Sequence, residues 1–252
     1  MSAVVELSET KHIAMWSGPR NISTAMMYSF DSRADTYCSD EPLYAHYLAA
    51  TGIQHPGANE VIENDETDWR AAVQNLGKNP ADGSKIWYQK HMCHHITEGM
   101  ELDWINSMTT CFLIRDPREV LLSLAKKTDA IDAWATGLPQ QARLVEQVKE
   151  SGVNPLIVDS RDILHDPNAM LFKLCHALSI PYDSAMLSWQ SGPKPCDGIW
   201  AKHWYDAVWE STEFTEYRAR EGELSSAHQA IHDEIRPIYD ELYDLRLVGW
   251  RN

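Results

Sequence analysis

Eight consecutive residues near the N-terminus have the composition of an anion-binding loop, and they read Ser17-Gly18-Pro19-Arg20-Asn21-Ile22-Ser23-Thr24. They follow an apolar run, 12–16, that predicts a buried strand, and precede a segment, 25–30, with helical apolar spacing. A helix that begins here directs free N–H groups and a positive dipole end at the loop. With the charge of Arg20 and three hydroxyl groups, this arrangement predicts a phosphate-binding loop and a nucleotide-type ligand. An ordinary strand-to-helix connection is the alternative.

A second anion-binding pattern begins at Arg115. Asp116 suits the N-cap of a helix, and Pro117 its first position, directly after a strand predicted over 109–114. Ser123 follows about two turns further along that helix. An arginine fork and a hydroxyl group placed in this way can hold one phosphate from two sides. Alternatively, Arg115 pairs with a carboxylate and Ser123 faces a neighbouring helix.

The elements that must position these groups alternate between strand and helix signals. Strands are predicted near 12–16, 36–39, 85–90, 109–114 and 155–159, and helical patterns follow most of them, whereas 51–64 reads as a loop. This alternation predicts an α/β fold with a central parallel sheet of about five strands, flanked by helices. Ligands of such sheets bind at the carboxyl ends of the strands. Those ends carry the first loop, Asp40-Glu41, Lys90-His91 and Arg115.

Length and charge restrict the class of protein. A chain of 252 residues suits a single domain spanning 1–252. The net charge of −15 disfavours nucleic acid and anionic membranes as partners, so a small molecule is expected. Five scattered cysteines predict free thiols in a reducing compartment. With no signal-peptide pattern and no membrane-spanning apolar run, we expect a cytoplasmic protein.

Together the two anion-binding patterns resemble those of the sulfotransferases that use 3′-phosphoadenosine 5′-phosphosulfate (PAPS), a family of the P-loop superfamily. Members carry a phosphosulfate loop after the first strand, commonly Pro-Lys/Arg-Ser-Gly-Thr-Thr, and segment 19–24 looks like it. A second family motif, Arg-x-Pro-x-x-x-x-x-Ser, is matched by 115–123 at every fixed position. Weaker similarity lies in 159–167 and 198–204. The resemblance covers most of the chain, and 15–47 also looks like a bacterial sulfotransferase-like group.

The resemblance implies a three-layer P-loop-type fold and transfer of a sulfuryl group from PAPS to a hydroxyl or amine of a small acceptor. Segment 17–24 would bind the 5′-phosphosulfate, and Arg115 and Ser123 the 3′-phosphate. Arg20 and Lys90 would neutralise charge on the bridging oxygen. The late segment containing Gly198 and Trp200 would close over the nucleotide. In two places the chain departs from the family pattern, because Ile22 stands where Gly is usual and the late lysine is displaced to Lys202.

The general base has two candidates. His91, directly after Lys90, resembles the Lys-x-His or Lys-Thr-His segment of many members, and its ordinary pKa near neutrality makes it the default. Glu41 resembles the Glu-Pro segment of carbohydrate-type members, and it would need its pKa raised by burial. The structural alternatives are a core histidine and a helix N-terminal carboxylate. His91, Cys93, His94 and His95 are crowded together, but no second ligand cluster completes a site, so we expect no metal.

Two other classes of protein stay open at this point. A P-loop kinase would use the same fold, although the Gly-Lys-Ser/Thr of a Walker A loop is missing. A catalytically silent nucleotide-binding module is the other alternative, favoured by Ile22. The aromatic residues of the C-terminal third indicate either core packing or an acceptor pocket, with Trp200 as a candidate for adenine stacking.

Overall fold

The computed structural model describes residues 10–126 and 131–248. Its strands are β1 (Lys11–Ser17), β2 (Thr36–Asp40), β3 (Ile86–Met92), β4 (Thr109–Ile114) and β5 (Leu156–Asp159). Its helices are α1 (Ser23–Asp31), α2 (Tyr44–Thr51), α3 (Ala58–Asn64), α4 (Trp69–Leu76), α5 (Pro117–Leu124), α6 (Leu138–Glu150), α7 (Ser160–His165), α8 (Pro167–Ala177), α9 (Ala201–Trp204), α10 (Asp206–Trp209) and α11 (Ser226–Asp244). Short 3₁₀ turns lie at Cys93–His95, Asp103–Ser107, Trp134–Thr136 and Ser184–Leu187.

The strands form one parallel sheet in the order β2-β3-β1-β4-β5. Ile13 and Met15 of β1 belong to a core shared with α1 and α8, whereas Ala14 and Trp16 belong to a core shared with α6 and α11. Because successive strand residues point to opposite faces, this alternation requires helices on both sides of the sheet. The predicted α/β fold with a five-stranded parallel sheet is confirmed.

The register brings the carboxyl ends of the inner strands to the same height. Ser17 of β1 pairs with Met92 of β3 and with Leu113 of β4, and Asp40 of β2 pairs with Lys90 of β3. The loops that leave these strands therefore emerge at one edge of the sheet, as expected.

Several local signals behave as predicted. Asp116 caps α5 by accepting a hydrogen bond of 2.9 Å from the Arg118 N–H group, with Pro117 at the first helical position.

The prediction of a loop over 51–64 was wrong for residues 58–64, because they form α3, which buries Ala58 and Val61. None of the helices within the two described ranges is long and apolar enough to span a bilayer.

Candidate active site at the carboxyl edge of the sheet

The loop between β1 and α1 is held by close backbone packing. A Cβ atom on Gly18 would lie 2.3 Å from the Thr136 carbonyl oxygen, so only glycine fits there. The Asn21 side chain donates a 2.9 Å hydrogen bond to the Leu113 carbonyl oxygen and accepts one of 2.9 Å from the Ile22 N–H group. These contacts fix the loop against β4 before any ligand binds.

The backbone conformation of the loop explains why isoleucine can stand at position 22, where the family pattern has glycine. Ile22 has a φ of −88°, which any residue adopts, and its side chain packs against the core that contains α1. The left-handed conformation falls instead on Arg20, with a φ of 58°. Non-glycine residues in that region are strained, and such strain concentrates at functional sites.

The first turn of α1 is available to an anion. The side chain of its N-cap residue, Ile22, makes no capping hydrogen bond, and none of the residues in the first turn of the helix is acidic. Ser23 begins the helix and is buried, whereas Pro19 and Thr24 are half-buried and Ser17 is fully buried, with its hydroxyl group 3.7 Å from the Met92 sulfur. The uncapped N–H groups and the helix dipole are the features that attract a phosphate or sulfate.

The two predicted anion-binding patterns meet in the structure. Arg20 Nε donates a 3.0 Å hydrogen bond to Ser123 Oγ, and Arg115 Nη1 donates one of 3.0 Å to the Arg20 carbonyl oxygen. Arg115 also pairs with Glu119 of α5, with 2.7 Å between Nη2 and Oε2. Arg20 therefore joins the two motifs, and Arg115 has the carboxylate partner that was the alternative to phosphate binding.

A third arginine, Arg220, joins this cluster from the segment before α11. Arg118 holds that segment by donating a 3.2 Å hydrogen bond to the Arg220 carbonyl oxygen. Burial lowers the pKa of Arg20, and the charges of Arg220 and Arg115 lower it further. The Nε atom of Arg220 is buried without a hydrogen-bond partner among the described residues. Three arginine charges against the one carboxylate of Glu119, together with the unpartnered buried donor of Arg220, form a site that an anion would complete.

Lys90 is the centre of a buried polar network beside the loop. Its Nζ donates hydrogen bonds of 2.8 Å to Asp40 Oδ1 and 2.8 Å to the Tyr205 hydroxyl group, and a third to Glu41 Oε1. Tyr205 and the Gly198 N–H group donate to Asp40 Oδ2 over 2.8 and 3.1 Å. Burial alone would lower the pKa of Lys90, but Asp40 and Glu41 raise it well above its ordinary value. Lys90 is therefore charged, and protein partners use all three of its donors.

Glu41 stands at the edge of this network, and its Oε2 has no hydrogen-bond partner among the described residues. It is the second strained residue of the site, with a φ of 40°. Its Oε1 accepts from Lys90, whereas its Oε2 lies 3.8 Å from His95 Nε2, too far for a direct hydrogen bond. Burial raises the pKa of Glu41 and the charge of Lys90 opposes that rise. A carboxylate with a raised pKa and a free oxygen is suited to accept a proton.

His91 lies on the other face of the sheet from Lys90. Its ring stacks on Trp16, with ring centroids 4.3 Å apart, and its Nε2 lies 3.2 Å from Gln89 Oε1. Burial, with a smaller contribution from Lys90, lowers the pKa of His91 to about 3. His91 is 1% exposed, and no hydrogen bond or ion pair joins it to Glu41 among the described residues.

The late segment contacts the site through its backbone. A Cβ on Gly198 would lie 2.1 Å from the Trp200 ring, so glycine is required there. Trp200 is only 5% exposed and packs edge-on against Tyr44, not toward the first loop. Lys202 forms an exposed pair with Glu60, 2.6 Å apart. The displaced lysine therefore points away from Lys90 and its network.

Metal ligands can be judged for residues 10–126 and 131–248. Within them, no three His, Cys, Asp or Glu side chains are grouped in a way that could hold a metal ion.

The chain is similar to known proteins over most of its length. A family model described as "Sulfotransferase domain" matches residues 11–242. "Branched-chain-amino-acid aminotransferase-like protein 1" and "protein 2" of Arabidopsis thaliana are 33% and 32% identical over 94% and 91% of the chain. The chain spans only 42% and 41% of the length of these two relatives.

Solved structures give a more distant comparison. A sulfotransferase from Alicyclobacillus acidocaldarius superposes with a TM-score of 0.56 at 9% identity, covering 93% of this chain and 95% of that one. A sulfotransferase domain from the curacin biosynthetic pathway gives 0.52 at 14% identity, covering 90% and 98%. At such identities the likeness concerns the fold alone.

Proposed function

Because the chain belongs to the sulfotransferase domain family, we propose that it transfers a sulfuryl group from PAPS to a hydroxyl or amine of a small-molecule acceptor. The observation that carries this proposal is the second anion site beside the first loop. There, Arg20, Arg115, Ser123 and Arg220 converge about a buried unpartnered donor. A nucleotide with phosphates at both its 5′ and 3′ positions needs two such sites, whereas ATP needs only the first.

In this proposal the loop from Gly18 to Thr24 binds the 5′-phosphosulfate through its N–H groups and the dipole of α1. The arginine cluster binds the 3′-phosphate. Arg20 belongs to the first loop, and its Nε donates a hydrogen bond to Ser123 of the second site. Its guanidinium would therefore contribute to both sites. Its remaining N–H groups extend the positive charge toward the leaving phosphate.

Glu41 is the proposed general base. The acceptor oxygen attacks sulfur and forms the new S–O bond while its proton passes to Glu41 Oε2. The bond from sulfur to the bridging oxygen breaks, and its electron pair stays on the phosphate of the released 3′-phosphoadenosine 5′-phosphate (PAP). With the acceptor held in line, positioning and fixed charges supply most of the rate.

Lys90 acts in this scheme as a positioning residue. Its three donors tie Glu41 to Asp40 and Tyr205, and Asp40 is tied in turn to the backbone of Gly198. Glu41 Oε2 is thereby held on the side of His95. Because Lys90 has no donor left for the nucleotide, the first loop and Arg20 must stabilise the developing charge.

The test combines binding with turnover. PAP and ADP are titrated calorimetrically, and sulfuryl transfer from PAPS is followed by mass spectrometry across a panel of hydroxyl and amine acceptors. We expect PAP to bind more tightly than ADP and at least one acceptor to be sulfated. Tight PAP binding without transfer to any acceptor would indicate a silent nucleotide-binding module. Preference for ADP, with magnesium-dependent ATP turnover, would indicate a kinase.

A further inference from the structure

The carboxylate of Glu119 lies inside the second anion site, where it joins two separate elements. Arg115, at the end of β4, donates to Glu119 Oε2 from Nε over 2.9 Å and from Nη2 over 2.7 Å. Tyr217, in the segment before α11, donates to Glu119 Oε1 over 2.7 Å. Both carboxylate oxygens are therefore occupied, and Glu119 is only 7% exposed. Because a carboxylate repels a phosphate, Glu119 cannot itself be a ligand of the nucleotide.

Glu119 fixes the direction in which Arg115 presents its remaining donors. The pair holds the guanidinium along one edge, through Nε and Nη2, and Nη1 donates over 3.0 Å to the Arg20 carbonyl oxygen. These bonds use three of the five N–H groups of the guanidinium. The other two have no partner among the described residues and can donate to a phosphate. An arginine that is already held in place loses little side-chain entropy when the phosphate binds.

Tyr217 connects this carboxylate to the segment that carries Arg220. Burial raises the pKa of Tyr217 to about 12, and the hydrogen bond to Glu119 contributes to that rise. The hydroxyl group therefore keeps its proton at neutral pH and remains a donor. Arg118 holds the same segment by donating to the Arg220 carbonyl oxygen. Glu119 thus ties Arg115 to the stretch of chain on which the position of Arg220 depends.

No other acidic side chain among the described residues takes the place of Glu119 beside Arg115. Asp116, the next residue in the sequence, has partners of its own. Its Oδ1 accepts from the Arg118 N–H group over 2.9 Å, as the cap of α5, and its Oδ2 lies 3.2 Å from Arg236 Nη1. The orientation of Arg115 therefore depends on Glu119.

We propose that Glu119 is a positioning residue for recognition of the 3′-phosphate. It orients Arg115 directly and, through Tyr217, keeps the segment of Arg220 beside it. This inference rests on the proposed function, since it concerns the nucleotide of that reaction. A carboxylate that acted only through its charge would have the opposite effect, because a negative charge near a phosphate weakens its binding.

The experiment compares the affinities of PAP and ADP, measured by calorimetric titration, in the parent protein and four variants. Glu119→Ala removes the carboxylate, whereas Glu119→Gln removes its charge but keeps an oxygen that can accept from Arg115. Tyr217→Phe removes only the hydroxyl group of a half-buried residue, so the fold should be preserved. Glu146→Ala is the matched control, because Glu146 is an exposed glutamate of α6 that pairs with Lys149.

We expect the ratio of PAP affinity to ADP affinity to fall at least about 10-fold in Glu119→Ala, which corresponds to one charge-assisted hydrogen bond lost from a misplaced Arg115. Tyr217→Phe should lower the ratio by about 3- to 10-fold, because one of the bonds that fix the carboxylate is missing. Glu119→Gln should restore the ratio to within about 2-fold of the parent, and Glu146→Ala should leave it unchanged.

Tighter PAP binding in both Glu119 variants would overturn the inference in favour of a role through charge alone. An unchanged ratio in Glu119→Ala and Tyr217→Phe, or an equal loss of PAP and ADP affinity, would overturn it in favour of a structural role. If Glu119→Ala does not fold, an unchanged ratio in Tyr217→Phe is sufficient to reject it. A parent protein that binds ADP but not PAP would refute the proposed function, and this inference with it.

Discussion

Replacement of Arg220 by alanine tests the assignment of the second anion site. Its Nε is buried without a partner among the described residues, so that N–H group can donate to an added phosphate. A hydrogen bond to a charged group contributes about 1.5–3 kcal/mol, so PAP should bind roughly 10- to 150-fold more weakly to Arg220→Ala. ADP lacks the 3′-phosphate, and its affinity should hardly change. The backbone contact from Arg118 survives the substitution.

The same substitution should not destabilise the ligand-free protein. Burial and then the charge of Arg115 lower the pKa of Arg220, and Glu119 offsets this only in part. Arg220 in turn lowers the pKa of Arg20, so the arginine charges repel one another in the folded state. Removing one charge relieves this repulsion, and the melting temperature should stay equal or rise. A substitution that merely damaged the fold would lower it. The two measurements together distinguish a ligand-binding arginine from a structural one.

Arg218→Ala is the matched control, because Arg218 is an exposed arginine two residues earlier in the same segment. Calorimetric titration of PAP and ADP into the parent and both variants gives the ratio of the two affinities. We expect that ratio to collapse only in Arg220→Ala. An equal loss of PAP and ADP affinity, or the same loss in Arg218→Ala, would refute the reasoning.

Three further outcomes follow from the buried groups. Glu41→Gln should lower the rate of single-turnover sulfuryl transfer by about 10²- to 10⁴-fold at unchanged PAP affinity. The rate of His91→Asn should stay within a few fold of that of the parent protein. The reverse pattern would identify His91 as the base. Turnover should rise with pH as Glu41 loses its proton, with the midpoint above the ordinary pKa of a glutamate because burial raises it; a pH–rate profile with no acidic limb would contradict this. Burial raises the pKa of Asp159 to about 6, so the folded state holds that proton more tightly than the unfolded state. Its contribution to stability therefore grows as pH falls from about 7 to about 4. Urea unfolding of Asp159→Asn should show a weaker gain over that range, because the amide does not titrate.

The sequence was sufficient to predict the sheet and the meeting of two distant motifs. The run 109–114 is apolar throughout and becomes β4, buried over most of its length. Asp116 and Pro117 start α5 where local capping rules place its start. Because parallel strands end at a common edge, Arg115 and the first loop had to be neighbours. These predictions needed only local patterns and one topological rule.

Which residue can act as the base depends on the face of the sheet to which each side chain of β3 points. The resemblance to a Lys-His motif gave no information on that face. Lys90 and His91 are consecutive in β3, so the pleat sends their side chains to opposite faces. With Lys90 facing Asp40, His91 had to face Trp16 and the core. That argument was available from the sequence once Lys90 was assigned to the site. Glu41, which follows Asp40 at the end of β2, was already among the candidates.

Arg220 could not be found in the same way. It lies in an irregular segment with no hydrophobic period, roughly a hundred residues beyond Arg115 along the chain. Its place depends on two hydrogen bonds, because Arg118 donates to the carbonyl oxygens of Arg220 and Gly222. The contacts of His55 are also tertiary, since its ring lies against Trp204 of α9 and its Nδ1 lies 2.8 Å from the Tyr44 hydroxyl group. Contacts of this kind follow from packing and leave no local signature.

The crystal structure of the protein with PAP tests the central claim most directly. The account predicts the 5′-phosphate on the N–H groups of the loop from Gly18 to Thr24, and the 3′-phosphate within hydrogen-bond distance of Arg115, Ser123 and Arg220. A nucleotide bound elsewhere, or one whose 3′-phosphate points into solvent away from these three residues, would contradict it.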